Sequence, residues 1–415
     1  MEALIVGVSY YNMDYDLNES MKELVSLCEA CEITVKYSMV QNLDRINPAT
    51  YIGKGKVDEI HQLKDEVDVV IFNEELSPLQ IKNLTDELEI EVKDRTDLIL
   101  TIFESRANTP EAKLQVKIAK YEYLLPRLVG MNESMGHQQG GSGFRGSGEK
   151  QIELDRREIM TKLIQDKREL ASLVKVRQTQ RKRRNNQDEK VVALVGYTNS
   201  GKSSLMNYLL EKSNNDKKVF EKDMLFATLE TSTRYIHVKN HKPFILSDTV
   251  GFISQLPHHL VNAFCSTLEE VVDADLIVMV IDSSSPQYLN HIEVTKEVLK
   301  QLGASSPILY VYNKIDLNRY AFVKPEDPYV FISVKEDKNM EEFLNQVNRM
   351  LYPDDRNVEF FFPYDKMRVV SYLMDHTNVV QLDYQEDGTL IKAQCSKKII
   401  EEYKEYLVEE DQEIN

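Results

Sequence analysis

The chain has 415 residues, 42% hydrophobic and 29% charged, with 51 Lys and Arg against 68 Asp and Glu for a net charge of −17. That length exceeds what one hydrophobic core organises and points to roughly three domains. The acidic balance excludes a protein that coats nucleic acid through bulk charge, though it permits a local basic patch. No apolar run approaches the roughly 20 residues of a membrane span. No basic region precedes the first apolar stretch, and four cysteines suit a reducing compartment, so a cytoplasmic protein without a membrane span, and a monomer, is expected.

Residues 1–107 alternate two hydrophobic periods. Leu4–Ser9, Ile33–Val40, Val67–Phe72 and Ile90–Val92 read as strands, and segments near 18–31, 55–65, 78–88 and 96–106 as helices, which implies a small α/β subdomain with a largely parallel sheet. Cys28 and Cys31 have CxxC spacing, but no second pair or histidine partner follows and Leu24, Cys28 and Cys31 share a helical face; small core residues are the expectation. Gly53-Lys54-Gly55-Lys56 lacks a strong preceding strand and reads as a helix-start turn rather than a phosphate loop.

Over 108–187 the pattern changes to long helices. Pro110 fits a first helical turn; Leu114, Ile118, Tyr121, Leu125 and Leu128 line one stripe, and Ile152, Ile159, Leu163, Leu170 and Val174 another, as in an antiparallel hairpin. Between them, residues 130–148 hold seven of the 15 glycines, with His137 and Arg145 among them. This composition fits a flexible linker and equally a tip that orders on a large partner. The second stripe ends in Lys175, Arg177, Arg181, Lys182, Arg183 and Arg184, six cations without an acid. A helix C-terminus favours one or two cations; six favour contact with RNA phosphate over the alternative of a solvated linker.

Residues 188–355 carry the chemistry. A β-branched run, Val191–Val195, leads into Gly196-Tyr197-Thr198-Asn199-Ser200-Gly201-Lys202-Ser203-Ser204, and Leu205, Met206, Leu209 and Leu210 follow at helical spacing. This is a P-loop, GxxxxGK(S/T) between strand and helix: backbone N–H groups face phosphate, Lys202 reaches the outer phosphates and Ser203 offers a hydroxyl to Mg²⁺. Phe226-Ala227-Thr228 stands where a switch I threonine meets the metal. Ile245–Ser247 leads into Asp248-Thr249-Val250-Gly251, a DxxG in which Asp248 holds the Mg²⁺ water shell and the Gly251 N–H senses a γ-phosphate. Pro307–Tyr312 delivers Asn313-Lys314-Ile315-Asp316, and the Asp316 carboxylate can accept both guanine N1–H and N2–H₂, a donor pair that adenine lacks. Tyr329–Ile332 delivers Ser333-Val334-Lys335, placed to close over guanine O6. Leu276–Ile281 supplies a further buried strand. Five pieces in this order define a guanine-nucleotide switch. Residues 356–415 then read as strand (Val358–Phe362), helix (Lys366–His376), hairpin through Glu386-Asp387-Gly388 and helix (Ser396–Leu407), a small α+β domain with an acidic tail.

More specific strings flank the switch motifs. They include Tyr51-Ile52-Gly53-Lys54-Gly55-Lys56, Glu75-Leu76-Ser77-Pro78, Asp94-Arg95-Thr96, Lys113-Leu114-Gln115-Val116, Tyr123-Leu124-Leu125-Pro126-Arg127-Leu128, Gly148-Glu149-Lys150-Gln151, Asp248-Thr249-Val250-Gly251-Phe252 and Leu256-Pro257-His258-His259-Leu260. With them the chain resembles, over most of its length, the HflX family of translational GTPases. The resemblance implies a multidomain α/β protein: an N-terminal α/β subdomain, a helical hairpin whose loop reaches into the large ribosomal subunit near the peptidyl-transferase region, a P-loop GTPase domain and a small C-terminal domain. It also implies that the GTP-bound form binds the 50S subunit and splits stalled or idle 70S ribosomes, with hydrolysis to GDP allowing release; the glycine loop and basic helix end then face 23S rRNA. Glu230-Thr231-Ser232, Ser254-Gln255 and Ser204 depart from the family's usual Asp-Pro, Arg-Asp and Thr. None removes a phosphate or guanine contact.

In the expected mechanism Lys202, Thr228 and Gly251 serve the transferring phosphoryl group. Where Ras-like switches place a water-orienting Gln, this chain has Phe252, which predicts slow basal turnover; His258 and His259, beside Pro257, read as structural. Asn199 resembles the P-loop asparagine that coordinates K⁺ in some GTPases. Two other readings share these motifs: a large-subunit assembly GTPase, and an RNA-binding module that uses GTP without significant turnover.

Overall fold

The apolar runs that open the chain become a parallel sheet because each is followed by a helix that carries the chain back to the starting edge. In the computed structural model, which describes residues 1–11, 13, 15–135, 145–184, 190–213, 232–249, 251–253, 270–317 and 324–410, β1 (Glu2–Tyr10), β2 (Thr34–Leu43), β3 (Val69–Phe72) and β4 (Glu91–Asp94) pair in the order β2-β1-β3-β4. β1 and β3 are central and apolar on both faces; β2, at the edge, alternates half-buried and exposed residues. The connecting helices are α1 (Leu17–Ala30), α2 (Lys54–His61), α3 (Pro78–Leu88) and α4 (Arg95–Arg106). Their starts are chemically marked: Ser77 and Gln80 form a capping box on α3, and the Asp94 side chain accepts from Asp97 N on α4. Gly53 is the residue before α2, its N–H donating to Gln41 Oε1 at 2.9 Å, so the glycine-lysine run is a helix start. Cys28 is wholly buried and burial pushes its thiol up to about 12, as expected of a core side chain.

The helical stripes form α5 (Pro110–Met135) and α6 (Arg145–Arg184). Helix therefore takes both ends of the glycine-rich stretch expected as a loop, including Gly130, Gly146 and Gly148; residues 136–144, with His137, lie outside the described residues. Local backbone hydrogen bonding within each helix overrides the glycine penalty there. α5 is covered on a broad face that includes Ala112, Leu114, Val116, Ile118, Ala119 and Tyr123. The two helices are joined by Lys117–Asp166 (3.6 Å) and Lys167–Glu122 (2.7 Å), but the outward side of α6 keeps Leu154, Met160 and Ile164 exposed.

One carboxylate ties these elements together. Asp94, fully buried, accepts from Leu76 N (3.0 Å), Asp97 N (2.9 Å), Tyr123 OH (2.8 Å) and Arg127 Nη2 (2.9 Å), while the Arg127 guanidinium lies 3.3 Å over the Tyr123 ring. Next to it Arg95, 2% exposed, pairs with Glu23 and donates to Asn73 Oδ1 at 3.2 Å.

A second unit contains the remaining sheets. β5 (Val191–Val195), β6 (Ser232–Ile236), β7 (Phe244–Asp248), β8 (Leu276–Asp282), β9 (Ile308–Asn313) and β10 (Tyr329–Phe331) order as β10-β9-β8-β5-β7-β6, parallel except for β6. α7 (Lys202–Lys212) buries Leu205, Met206, Leu209 and Leu210 completely; α8 (Tyr288–Leu302) and α9 (Met340–Leu351) add Leu299, Phe343, Leu344 and Val347. The last sheet, β12-β13-β11-β14, comprises β11 (Arg356–Pro363), β12 (Asn378–Gln385), β13 (Gly388–Cys395) and β14 (Leu407–Glu410), with α10 (Met367–His376) and α11 (Lys397–Glu402). Here one expectation is corrected: the helix read over Ser396–Leu407 stops at Glu402. Leu407–Glu410 instead pairs antiparallel with β11, whose open edge supplies hydrogen bonds that a continued helix would leave unmade.

Asp94→Ala strands Arg127, Tyr123 and two helix-start amides in a dry site. It is expected to destabilise the first unit by about 3–5 kcal/mol, seen as an earlier urea transition with nucleotide binding at the second unit intact.

Candidate nucleotide site

The parallel strands of the six-stranded sheet all point their C-terminal ends to one edge, where the connecting turns gather. The P-loop leaves β5 there. Gly201 sits at φ +100°, and a Cβ on it would stand 2.2 Å from Asn313 Nδ2, so left-handed backbone and close approach both require glycine. Lys202, 6% exposed, turns back into its own loop and donates to Gly196 O (3.0 Å) and Tyr197 O (2.8 Å). Burial lowers its ammonium to about 8, against the opposing pull of Asp248.

The DxxG segment leaves β7 alongside. Ser203 Oγ donates to Asp248 Oδ2 at 3.3 Å, and Thr249 Oγ1 donates to Leu194 O at 2.6 Å. A Cβ on Gly251 would meet Thr198 Cγ2 at 2.9 Å and Lys202 Nζ at 3.0 Å, so the backbone of this segment lies directly on the P-loop lysine. Phe252 bridges to the loop by its main chain, accepting from Thr198 N (2.7 Å) and donating to Gly196 O (3.1 Å), and its ring is buried at 3% exposure.

These residues fit Mg²⁺ and phosphate. A hydroxyl and one carboxylate are hard oxygen donors, and no cluster of three or more metal-ligating side chains exists among the described residues; Mg²⁺ is commonly held by few protein oxygens and completed by water and phosphate. Thr198 Oγ1 and Ser200 Oγ are also buried without a hydrogen-bond partner, a cost that an incoming polar group would relieve.

The Asn313–Asp316 motif, expected to read the base, arrives on the far side of β8. Asn313 Nδ2 donates to Ser200 O (3.0 Å), and Lys314 Nζ donates to Asn199 O (2.8 Å). Ser333 Oγ donates to Asp316 Oδ1 (2.8 Å), and Val334 N donates to Asn313 Oδ1 (3.3 Å); Lys335 is exposed. Two neighbours escaped the sequence reading. Asp282 Oδ2 accepts from Lys314 Nζ at 2.8 Å, and the His291 ring stacks on the Tyr197 ring with centroids 3.8 Å apart. The available signal for the first was its position as the polar residue ending a fully apolar parallel strand.

Among the expected site residues, Gly196 to Ser204, Asp248, Thr249, Gly251, Asn313, Lys314, Asp316 and Ser333 to Lys335 thus lie at one sheet edge, on strand ends, in turns and on the first turn of α7. Phe226, Ala227, Thr228, Val250, His258 and His259 lie outside the described residues. Lys175 is exposed on α6, and the backbone at Arg145, Arg177 and Arg181 to Arg184 is helical.

Sheet order, glycine loop and base-reading turn define a P-loop GTPase domain. Three family models match successive parts of the chain: "GTP-binding GTPase N-terminal" over residues 18–104, "GTP-binding GTPase Middle Region" over 106–184 and "50S ribosome-binding GTPase" over 191–314. Among similar proteins, GTPase HflX of Caldanaerobacter subterraneus is 40% identical over 94% of this chain and 90% of its own length. GTPase HflX of Lacrimispora saccharolytica is 38% identical over 94% and 92%. A solved GTP-binding protein from Sulfolobus solfataricus, in complex with GDP, is 25% identical over 85% of this chain and 99% of its own, with TM-score 0.43. The chain belongs to the HflX family of GTPases. No described helix is long and apolar enough to cross a membrane.

Lys202 yields a signed pH prediction. Its value is about 8 when folded, against about 10.4 for an unperturbed lysine. Between those values the unfolded chain binds the extra proton, so this group's penalty is full below pH 8 and is relieved as pH rises towards 10. Thermal unfolding of the nucleotide-free protein should show that rising component in the wild type and lose it in Lys202→Met.

Proposed function

We propose that this chain binds GTP with Mg²⁺, hydrolyses it to GDP and phosphate, and in its GTP-bound form engages the 50S subunit and splits stalled or idle 70S ribosomes. The chemistry rests on one observation: Lys202, the Ser203–Asp248 pair and the Gly251 backbone converge beside the P-loop, with Asp316 held by Ser333 at the same sheet edge. The ribosomal part rests on membership of the HflX family and on the description of the model that covers residues 191–314. In this reading residues 1–107 are the N-terminal subdomain, 108–187 the hairpin that approaches 23S rRNA, 188–355 the GTPase domain and 356–415 the C-terminal domain. His137, Arg145, Lys175, Arg177, Arg181, Lys182, Arg183 and Arg184 are the candidate RNA contacts.

Lys202 leaves the Gly196 and Tyr197 carbonyls for the outer phosphates, where their charge keeps it protonated. Ser203 and Thr228 would ligate Mg²⁺ and Asp248 would hold its water shell, and the bound ion would supply positive charge beside the phosphates. The Gly251 N–H reads the γ-phosphate. Asp316 takes the guanine N1–H and N2–H₂. Asn199 is exposed on the loop and is the candidate K⁺ ligand. Phe252, buried, offers no side-chain group to orient water, so hydrolysis is slow until the ribosome supplies that function.

Sedimentation of 70S particles with protein and GTP is the test. The wild type should yield subunits, and Lys202→Ala should leave 70S intact. Intact 70S with the wild type would favour the assembly reading, and equal affinity for ADP and GDP would overturn the base assignment. Phosphate release without ribosomes should not rise in Phe252→Gln, because the new amide would enter a buried site.

A further inference from the structure

The turn after β8 belongs to none of the phosphate, metal or base motifs, yet it is bonded to the base-reading loop at two points. Asp282 ends β8 between the P-loop strand on one side and the Asn313 strand on the other. One of its carboxylate oxygens accepts from Ser284 N (2.9 Å) and Ser284 Oγ (2.6 Å), which fixes the rotamer. The other accepts from Lys314 Nζ at 2.8 Å. Ser283, 2% exposed, donates both its N–H (3.0 Å) and its Oγ (2.6 Å) to Asn313 O.

Lys314 has little freedom of its own. It sits at φ +66°, a left-handed conformation that a lysine seldom adopts, and its ammonium is shared between Asp282 and Asn199 O of the P-loop. Both groups are partly shielded, with side-chain exposures of 26% for Lys314 and 20% for Asp282, so the pair is not an ordinary solvated surface bridge.

We propose that Asp282 is a positioning residue for guanine-nucleotide retention: it holds Lys314 against the P-loop carbonyl of Asn199, with Ser283 holding the preceding Asn313 backbone, so that the base-reading and phosphate-binding loops keep a fixed spacing. This rests on the guanine reading given above. Asp282 touches neither base nor phosphate and acts through Lys314.

The test is a double-mutant cycle on the dissociation rate of a fluorescent GDP analogue from the full-length protein, using Asp282→Asn, Lys314→Met and the combination. Asp282→Asn keeps the side chain's shape and its capacity to accept from Ser284. It should raise the rate about tenfold, the size of effect lost with one charged hydrogen bond. The double variant should release the analogue no faster than Lys314→Met alone, and Asp282→Glu should recover part of the loss. Circular dichroism melts of the nucleotide-free proteins identify any variant that fails to fold, in which case Ser283→Ala, predicted to raise the rate severalfold, takes its place. A rate within twofold of wild type for Asp282→Asn, or effects of the two substitutions that simply multiply, would overturn the proposal. A wild type that releases GDP and ADP analogues equally fast would instead overturn the guanine reading beneath it.

Discussion

Two side-chain donors carry the geometry of the nucleotide site. Asn313 and Lys314 reach from the end of β9 across β8 to the P-loop carbonyls of Ser200 and Asn199, at 3.0 and 2.8 Å. β8 ladders to both strands and sets their spacing in the sheet, and these side chains carry that spacing out to the loops beyond the strand ends. The rest follows from that tie. Gly201 must lack a Cβ because Asn313 Nδ2 occupies its place; Ser333 and Val334 close on Asp316 and Asn313; Lys202 lies between its own loop and Gly251.

The two sheets of the second unit are also joined by polar contacts, at the turn between β6 and β7. Asn240 O accepts from Val379 N at 2.7 Å, His241 lies 3.0 Å from Glu341 on α9, and Lys242 pairs with Asp355 and lies over the Tyr352 ring. Burial lowers the His241 pKa even beside Glu341, which favours the uncharged ring. β6 and β7 flank this turn, and β7 ends at Asp248, so the C-terminal sheet is fastened to the hairpin that runs directly into the carboxylate paired with Ser203.

Much of this was legible in the sequence where a rule of spacing applied. A P-loop must follow a strand and open a helix, and the β-branched Val191–Val195 and the apolar repeat after Lys202 placed both. Strands buried on both faces, such as Leu276–Ile281, were visible as continuous apolar runs. What could not be read were contacts between positions far apart in sequence: Asp94 with Tyr123 and Arg127, separated by 29 and 33 residues, or Asp282 with Lys314, separated by 32. β14 was hidden for a related reason. Tyr403, Tyr406 and Leu407 have a spacing that a helix also satisfies, and only the free edge of β11 decides between them.

The clustering of four donors on Asp94 bears on the mechanics of the hairpin. Arg127 on α5 is so anchored, and Met135 ends the helix eight positions on (135 − 127). At about 1.5 Å per residue, about 12 Å of helix separates that anchor from the end of α5. A displacement of Arg127 at that buried carboxylate would therefore be carried along the continuous backbone of α5 to Met135.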